Sequence, residues 1–511
     1  MYAAAETGLG RENIAQLCEI LNIPFSMAKE TWNTHEGALY DAHVSVINEE
    51  LDINRSEARL LAIEELGIDN DDEETVVPLA ISFDGTWAKR GFTSNHGMGF
   101  VLSASTGKVL DYAVTSKVCS QCQQSKCRMT KEEFDLWFEN HDCKGNFEGS
   151  SPSMETACAK AIWRKSLEYN VQYKYMVSDG DSKAYNAVWD VYGVCDDCSR
   201  YEKMNKNSEE YLTWKNSDKY KKWEDSHMQG TADCCRVIKL DCVGHVQKRM
   251  GHALYELHSK SGKLEDGKPI KGKQGRLTKP TIDKLQKYYG NAIRNNVNKD
   301  IQSQEDKNNA IRAMQREIKA GLYHSLKLPD KERHQYCPNN SWCRFKKKLS
   351  CPDKPHHLDA VFKDLLEPIY DRLSDPSLLE RCLPGFTQNG NESINSLVWI
   401  RCPKHKWFGC KRVEMAGISA ALHFSNGATS KHAVMTKCGI PVGGHTIEGS
   451  IRRDQQRVQQ AKMRVSDRYK NVRQAIRQSK LKAEEERVQK EGVTYKAGGF
   501  NDLTNTTGSG K

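Results

Sequence analysis

The stretch VVPLAISFDGTWAKRG, residues 76–91, decides the fold that we predict for this chain. Its first eight residues are mostly apolar or β-branched, which is typical of a buried strand. A single carboxylate, Asp84, follows this run, and a glycine, a tryptophan and two cations come after it. The pattern predicts a strand that ends on Asp84, with Gly85 allowing the backbone to turn tightly.

Four further segments have strand character, and helical patterns separate the later ones. Three strands in succession, followed by alternating helices and strands, give the order β-β-β-α-β-α-β-α. This is the order of a ribonuclease-H-like domain, a mixed sheet with helices on its faces. The added strands lie in HGMGFVLSASTG (96–107), KVLDYAVTSKV (108–118), VQYKYMVSDGD (171–181) and CRVIKLDCVGH (235–245).

Two carboxylates should meet at one edge of this sheet. Asp84 closes the predicted first strand and Asp179 the fourth, and these strands are neighbours in a ribonuclease-H-like sheet. Close carboxylates repel each other, unless a divalent cation such as Mg²⁺ lies between them. A pair of such ions, about 3.5–4 Å apart, supports phosphoryl transfer. Either aspartate alone would fit a turn or a helix cap equally well.

A third acid should arrive on a helix. In LPGFTQNGNESINSLVWIRCPKHKWFG (383–409), Asn389 and Gly390 break structure and Glu392 falls in the first turn of the helix that follows. A glutamate at a helix start is also what the helix dipole favours, so this position alone does not establish a catalytic role.

We expect an α/β protein in five parts. A ribonuclease-H-like core is interrupted by an all-helical insertion, with a helical region before it and a basic helical tail after it. The parts are the N-terminal helical region (1–75), the first part of the core (76–260) with a Cys/His insertion (117–150), the helical insertion (261–383), the second part of the core with the Glu392 helix (384–440), and the basic tail with a disordered end (441–511).

Composition narrows the class of protein. The 511 residues carry a net charge of +9 and 18 cysteines, and the mean hydropathy is −0.72. No apolar run approaches the roughly 20 residues of a membrane span, and the first residues lack the features of a signal peptide. We therefore expect no membrane association, reduced thiols, and metal ligands among the cysteines.

Positive charge is concentrated near the end of the sequence. Residues 451–490 contain thirteen lysines and arginines and five acidic residues. This segment is interpreted either as a solvated helix or as a cationic arm for the phosphate backbone, with Arg452 and Arg453 as candidate contacts.

Four motifs occur in this order along the sequence: FDGTWAKRG (83–91), SDGDSKAY (178–185), DCVGH (241–245) and NGNESINSLVW (389–399). Together they resemble the Mutator-like transposases, which are DDE cut-and-paste enzymes of eukaryotic DNA transposons. The resemblance covers roughly residues 76–440. It implies a ribonuclease-H-like core with a helical insertion.

The resemblance also implies roles for individual residues. Asp84 matches the first acid, Asp179 the second, and Glu392 the third, inside a Glu-Ser-x-Asn pattern that includes Asn395. Asp181 is an alternative second acid, although it is more readily a cap for the next helix. Cys242 and His245 match the C-x-x-H motif of the superfamily, which shapes the edge of the active site.

Cofactor, partners and location follow from the same resemblance. It implies Mg²⁺ or Mn²⁺ at the acid triad, and double-stranded DNA as partner, both at the transposon terminal repeats and at the target. It further implies a homodimer or larger assembly, since two transposon ends must be held together, and a location in the nucleus.

Zinc is expected at a Cys/His insertion after the third strand. Cys119 and Cys122 form C-x-x-C, and His141 and Cys143 form H-x-C, a set that suits a closed structural zinc site. The family tends to carry such an insertion here. Cys127 is a possible substitute ligand, and the alternative is a loop with free thiols.

Two further zinc sites are possible. The spacing is less regular in both, and free thiols are an alternative. Cys242 and His245 could also bind metal with Cys402 or His405. The candidate ligands for the second site are Cys195 and Cys198 with either Cys234 or Cys235, and those for the third site are Cys337, Cys343, Cys351 and His356.

Basic and aromatic residues follow the first and third acids. Tryptophan and arginine together suit stacking on bases and contact with phosphates, although the tryptophans could equally belong to the core. The candidate DNA contacts are Trp87, Lys89, Arg90, Arg401, Lys404 and Lys406.

Three functions remain open from the sequence. The first is an active DDE transposase that hydrolyses transposon ends and transfers the freed 3′-hydroxyl to target DNA. The second is a transposase-derived DNA-binding or regulatory protein without catalysis, or a truncated inactive copy. The third is a ribonuclease-H-like nuclease unconnected with transposition.

Overall fold

The chain forms a mixed α/β structure that divides into two compact units, Met1–Ser425 and Asn426–Lys511. The predicted five-part division stays a prediction. The computed structural model describes residues 1–68, 74–88, 94–179, 183–201, 204, 208–228, 234–298, 301, 303–338, 342–354, 356–466, 468–473, 475–476, 479, 483 and 486.

A five-stranded mixed sheet lies in the first unit, with the order β3-β2-β1-β4-β5. The first three strands are an antiparallel meander, whereas β1, β4 and β5 run parallel. The carboxyl ends of β1 and β4 therefore meet at the same edge. The strands are β1 (Val77–Trp87), β2 (His96–Ser103), β3 (Val109–Ser116), β4 (Val171–Ser178) and β5 (Ile238–Asp241).

Strand β1 is longer than the sequence predicts. Its ladder with β2 continues past Asp84 to Trp87, which pairs with Gly97, so the expectation that Asp84 ends the strand was wrong. The tight turn expected at Gly85 is wrong as well, since Gly85 is a strand residue paired with Gly99.

Helices cover the sheet and precede it. The longest, α3, is followed by Gly67, which has a left-handed φ of 61°, a conformation that glycine commonly adopts after a helix. The helices of this part are α1 (Tyr2–Thr7), α2 (Arg11–Ile20), α3 (Lys29–Leu66), α4 (Ser120–Lys126), α5 (Lys131–Glu139), α6 (Ser153–Ser166), α7 (Lys183–Val188), α8 (Asp196–Tyr201), α9 (Glu209–Lys215), α10 (Asp218–Met228) and α11 (Val243–Ser259), with a 3₁₀ turn at Leu167–Tyr169.

A second hydrophobic core lies away from the sheet, between α11 and the helices that follow it. Side-chain caps start the longer of these helices: Thr278 accepts from Thr281 N and Ser303 from Asp306 N. The helices are α12 (Lys279–Asn295), α13 (Gln304–Tyr323), α14 (Asp330–Arg333), α15 (Phe362–Leu373) and α16 (Pro376–Glu380).

The chain then returns to the sheet with α17 (Asn389–Arg401) and α18 (Cys410–Asn426). Helix α17 packs on β1 and β2. In the second unit, a 3₁₀ turn at Ala428–Ser430 precedes α19 (Lys431–Lys437) and α20 (Gly444–Val465). Among the helices that the structure describes, none has the length and apolar character needed to cross a membrane.

Candidate active site

Helix α17 and Gln388, the residue before it, are fixed on β1 and β2 by hydrogen bonds from one face. Residues three or four positions apart share a face of a helix, and the four bonding side chains have this spacing. Gln388 Nε2 donates to Phe83 O (2.8 Å), Asn391 Nδ2 to Phe100 O (3.1 Å), Asn395 Nδ2 to Asp84 Oδ2 (2.8 Å), and Trp399 Nε1 to Thr86 Oγ1 (2.8 Å).

Asp84 and Asp179 occupy matching positions on neighbouring strands. Ser82 of β1 pairs in parallel with Val177 of β4, and each aspartate lies two residues beyond its partner in this pair. Asp84 is thus held inside a strand, while Asp179 directly follows the end of β4 and is exposed.

Glu392 lies in the first turn of α17 and faces α11. Its side chain is half exposed, at 52%, and its Oε1 lies 3.5 Å from His245 Nε2 and 3.4 Å from Lys248 Nζ. Since Asn395 of the same helix bonds Asp84, helix α17 brings Glu392 toward the edge where the two aspartates lie.

A fourth carboxylate, Glu155, was missed in the sequence. It lies in the first turn of α6, where glutamate is common because of the helix dipole, and so it gave no separate signal. Its side chain packs on Gly85: a Cβ at that position would lie 2.5 Å from Glu155 Cγ. Glycine at position 85 therefore provides room for Glu155.

The carboxylates interact electrostatically. Burial raises the pKa of Asp84 to about 6, and the charge of Glu392 acts in the same direction. Burial also raises the pKa of Glu155 to about 7, with the charges of Asp84 and Asp179 adding to the shift. Four carboxyl groups thus share one acidic neighbourhood, in which like charges oppose full ionisation.

Cations from α11 border this neighbourhood. Arg249 Nη2 lies 3.8 Å from Asp179 Oδ1 and 3.3 Å from Asp241 Oδ1. Asp241 is also paired with Arg381, at 2.7 Å, and is only 1% exposed. A buried carboxylate held by two arginines serves the structure, so we do not count Asp241 with the four carboxylates of this neighbourhood.

The C-x-x-H residues lie at the start of α11. The Cys242 Sγ accepts a hydrogen bond from Gln388 N at 3.3 Å, which ties the end of β5 to the residues before α17. A hydrogen bond with the Cys242 side chain raises the pKa of His245, and the charge of Asp179 acts in the same direction. Asp181, the alternative second acid, lies outside the described residues.

The predicted DNA contacts differ in their exposure and in the residues that they contact. Arg401 is a correction: it is 5% exposed, and its guanidinium bonds Glu6 Oε2 at 2.8 Å, so it is a buried structural residue. Lys404 lies over the Trp399 ring, 4.9 Å from its centroid. Lys406 is exposed and Trp87 is half-buried, while Lys89 and Arg90 lie outside the described residues. Arg452 and Arg453 are exposed on α20 of the second unit.

The structure brings together the four predicted ligands Cys119, Cys122, His141 and Cys143. Cys119 Sγ lies 3.2 Å from His141 Nε2, and Cys122 Sγ lies 3.5 Å from Cys143 Sγ. These are separations that a tetrahedral zinc ion could bridge. Cys127 is exposed and is not part of the group.

The second group differs from the predicted set by one ligand. It contains Cys195, Cys198, Cys234 and His227, whereas Cys235 is exposed. His227 Nδ1 lies 2.6 Å from Trp223 O, which leaves Nε2 directed at the thiols.

The third group shares two ligands with the predicted set. Cys337 and Cys343 come together with His324 and His334, and not with Cys351 and His356. Helix α13 ends just before His324, and α14 just before His334. The two histidines therefore come from helix ends that the cysteine spacing did not reveal.

The fold and site define a mixed α/β protein with a carboxylate centre at the edge of its sheet and, among the residues that the structure describes, three groups of cysteine and histidine. The family model described as Mutator-like transposase matches residues 1–199 and 193–343. The chain therefore belongs to the Mutator-like transposase family, which confirms the resemblance and implies an enzyme that acts on DNA. No curated protein and no solved structure matches it significantly. Asp84 and Asp179 lie within the matched residues, and Glu392 lies after them.

Proposed function

We propose that this chain is a metal-dependent DDE transposase with a ribonuclease-H-like sheet, and that Asp84, Asp179 and Glu392 are its catalytic acids. The strand order β3-β2-β1-β4-β5 supports the fold assignment. The observation that carries the proposal is the convergence of the acids: two aspartates at matched positions of parallel strands, and a helix with Glu392 bonded to Asp84 through Asn395.

The donor set suits Mg²⁺ or Mn²⁺, which favour carboxylate oxygens over sulfur or nitrogen. Burial and the like charge of Glu392 raise the pKa of Asp84, and a bound cation would offset both effects. When bound, such ions activate the attacking oxygen and stabilise the leaving oxygen in phosphoryl transfer.

The other residues of the centre have supporting roles in this proposal. Asn395 fixes the orientation of the Asp84 carboxylate. Lys248 and Arg249, which border the acids, would hold the phosphates of a DNA strand. In the first step water attacks phosphorus and the 3′-oxygen leaves with a proton. In the second, that 3′-hydroxyl attacks a target phosphodiester and displaces its 3′-oxygen.

Excision in cells tests the proposal, with the full chain supplied beside a reporter flanked by the ends of its own element. We expect excision by wild type, and none by Asp84→Asn, Asp179→Asn or Glu392→Gln. Glu305→Gln is the matched control, since Glu305 is an exposed first-turn glutamate of α13.

The outcomes separate the functions. Excision by Glu392→Gln would remove that residue from the mechanism. DNA binding without excision by the wild-type chain would favour a DNA-binding protein without catalysis. Cleavage of DNA unrelated to the element ends would favour a nuclease unconnected with transposition. Double-stranded DNA as substrate, assembly as a homodimer or larger, and a nuclear location belong to the same proposal.

A further inference from the structure

The group formed by His324, His334, Cys337 and Cys343 has the geometry of a tetrahedral metal site. The two Nδ1 atoms are 3.1 Å apart, and His334 Nδ1 lies 3.4 Å from Cys343 Sγ. Cys337 Sγ lies 3.8 Å from both Nδ1 atoms. A tetrahedral zinc ion with ordinary bond lengths holds such atoms ~3.3–3.8 Å apart. The three distances to sulfur fall within this range, and the distance between the two Nδ1 atoms is slightly shorter.

The surroundings also favour a metal. Cys337 and Cys343 are fully buried, and His334 is 1% exposed. Two Nδ1 atoms that face each other cannot both carry a proton, and as metal ligands neither needs one. Metal ligation through Nδ1 leaves Nε2 of His334 as a donor, and the carboxylate oxygen Asp330 Oδ1 lies 3.8 Å from it, which is longer than a hydrogen bond.

A basic loop begins directly after the ligand Cys343. Residues 344–348 read Arg-Phe-Lys-Lys-Lys, and most of their side chains are exposed. The loop is folded onto the group: Phe345 stacks on the His334 ring, with centroids 4.5 Å apart. Trp342 packs edge-on against His324 at 4.7 Å. The aromatic rings thus cover the histidines while the lysines face solvent.

Further cations lie around His356, whose ring is 5.0 Å from that of His357, which in turn is 6.4 Å from the ring of His324. Burial, followed by the charge of Lys354, lowers the pKa of Lys284. Burial, followed by the charges of Lys284 and Lys354, lowers the pKa of His356. Cations that repel one another are unfavourable in the free protein, and the phosphates of a nucleic acid would relieve that repulsion.

We infer that His324, His334, Cys337 and Cys343 hold a structural zinc ion, and that this ion fixes residues 344–348 as a contact surface for the phosphates of duplex DNA. The DNA part rests on the proposed function, and the zinc part does not.

Zinc content of the purified full-length chain tests the first part. Cys343→Ser and His324→Ala should each lose one zinc ion per chain relative to wild type, whereas His324→Cys should keep it, because four ligands remain. Zinc retained by Cys343→Ser would overturn the site. Loss of zinc from Cys351→Ser but not from His324→Ala would overturn the proposed set of ligands. A disulfide between Cys337 and Cys343 in wild-type protein that contains no zinc at this group would overturn the zinc site.

DNA binding tests the second part, with duplex DNA at varied salt concentration as the probe. The combined change of Lys346, Lys347 and Lys348 to alanine should keep all zinc and weaken binding. The slope of log affinity against log salt should fall by about 0.9 for each phosphate that the variant no longer neutralises. The matched control changes three exposed lysines elsewhere, Lys260, Lys263 and Lys268, to alanine.

An unchanged affinity and slope in the Lys346, Lys347 and Lys348 variant would overturn the DNA surface while leaving the zinc site intact. The proposed function fails by a different readout, the absence of excision by wild type, which affects neither the zinc content nor the salt slope.

Discussion

Asn395 contacts one of the three proposed catalytic acids without being one of them. Its Nδ2 donates to Asp84 Oδ2 at 2.8 Å, while its Oδ1 is buried without a partner among the described residues. Partners of this kind typically change metal affinity or activity by about 10–100-fold. We therefore expect Asn395→Ala to lower excision by this order and to raise the Mn²⁺ concentration needed for it.

The control for Asn395→Ala is Ser396→Ala, because Ser396 is the next residue of α17 and is exposed. Duplex DNA affinity should stay at the wild-type value in both variants. Equal excision by Asn395→Ala and wild type would show that the hydrogen bond to Asp84 has no part in the reaction.

Asp111 of β3 is a second residue whose burial has a measurable consequence. Burial raises its pKa to about 6, and its Oδ2 has no partner among the described residues. The folded state therefore binds the proton more tightly than the unfolded state, whose pKa is near 3.9. The resulting destabilisation is complete above pH 6 and disappears as the pH falls toward 4.

Asp111→Asn should accordingly stabilise the fold at pH 7.5, by about 2–3 kcal/mol if the whole pKa shift is expressed. Its advantage over wild type should shrink to about half by pH 5. Thermal unfolding midpoints of both proteins at the two pH values check this. A constant difference between them would assign the effect to packing and not to the carboxyl charge.

At the level of single residues, sequence patterns predicted features that depend on neighbouring residues and missed contacts between residues far apart in the sequence. Asp84 and Asp179 stood out because each follows an apolar run in the sequence. Arg401 was assigned to DNA because its neighbours are basic, yet Glu6, which neutralises it, lies on the first helix. Glu155 looked like an ordinary first-turn glutamate, and only its packing on Gly85 reveals its position.

Among the elements, α8, α10 and the segment before β5 meet at the second cysteine group. Cys234 belongs to this group and Cys235 is exposed, so two adjacent cysteines form a matched pair. We expect Cys234→Ser to lose one zinc ion per chain and to lower the thermal unfolding midpoint, since structural zinc contributes to folding. Cys235→Ser should have the zinc content and the thermal unfolding midpoint of the wild type.

Zinc content by elemental mass spectrometry decides between the two cysteines. The reverse result, with zinc lost from Cys235→Ser alone, would return the ligand set to one of the two choices that the sequence left open. His227→Ala should behave as Cys234→Ser does. If it keeps its zinc, the fourth ligand is not this histidine.

The elements themselves were largely predictable. Strand patterns predicted all five strands, and their order follows from the meander and the alternating helices. The end of β1 was not predictable, because Asp84 and Gly85 are poor strand residues. They stay in the strand since β2 supplies ladder partners as far as Gly97. His227, His324 and His334 were missed because helices bring them to cysteines that spacing alone cannot connect.

At the scale of the whole molecule, charge is unevenly distributed along the chain. Residues 451–490 carry thirteen lysines and arginines and five acidic residues, whereas all other residues together contribute only one unit to the net charge of +9. In the second unit, Asp454 of α20 accepts a hydrogen bond from Ala428 N at 2.8 Å, so this acid has a structural role. The neighbouring Arg452 and Arg453 are exposed to solvent.

This distribution predicts that α20 contributes to the non-specific affinity for DNA. Arg452→Gln combined with Arg453→Gln should lower that affinity, and the slope of log affinity against log salt should fall by up to about 1.8 if each arginine neutralises one phosphate. Thermal stability should not change, because both side chains are exposed. The matched control is Gln455→Ala with Gln456→Ala on the same helix. A slope equal to that of wild type would make α20 an ordinary solvated helix and leave the DNA contacts to the first unit.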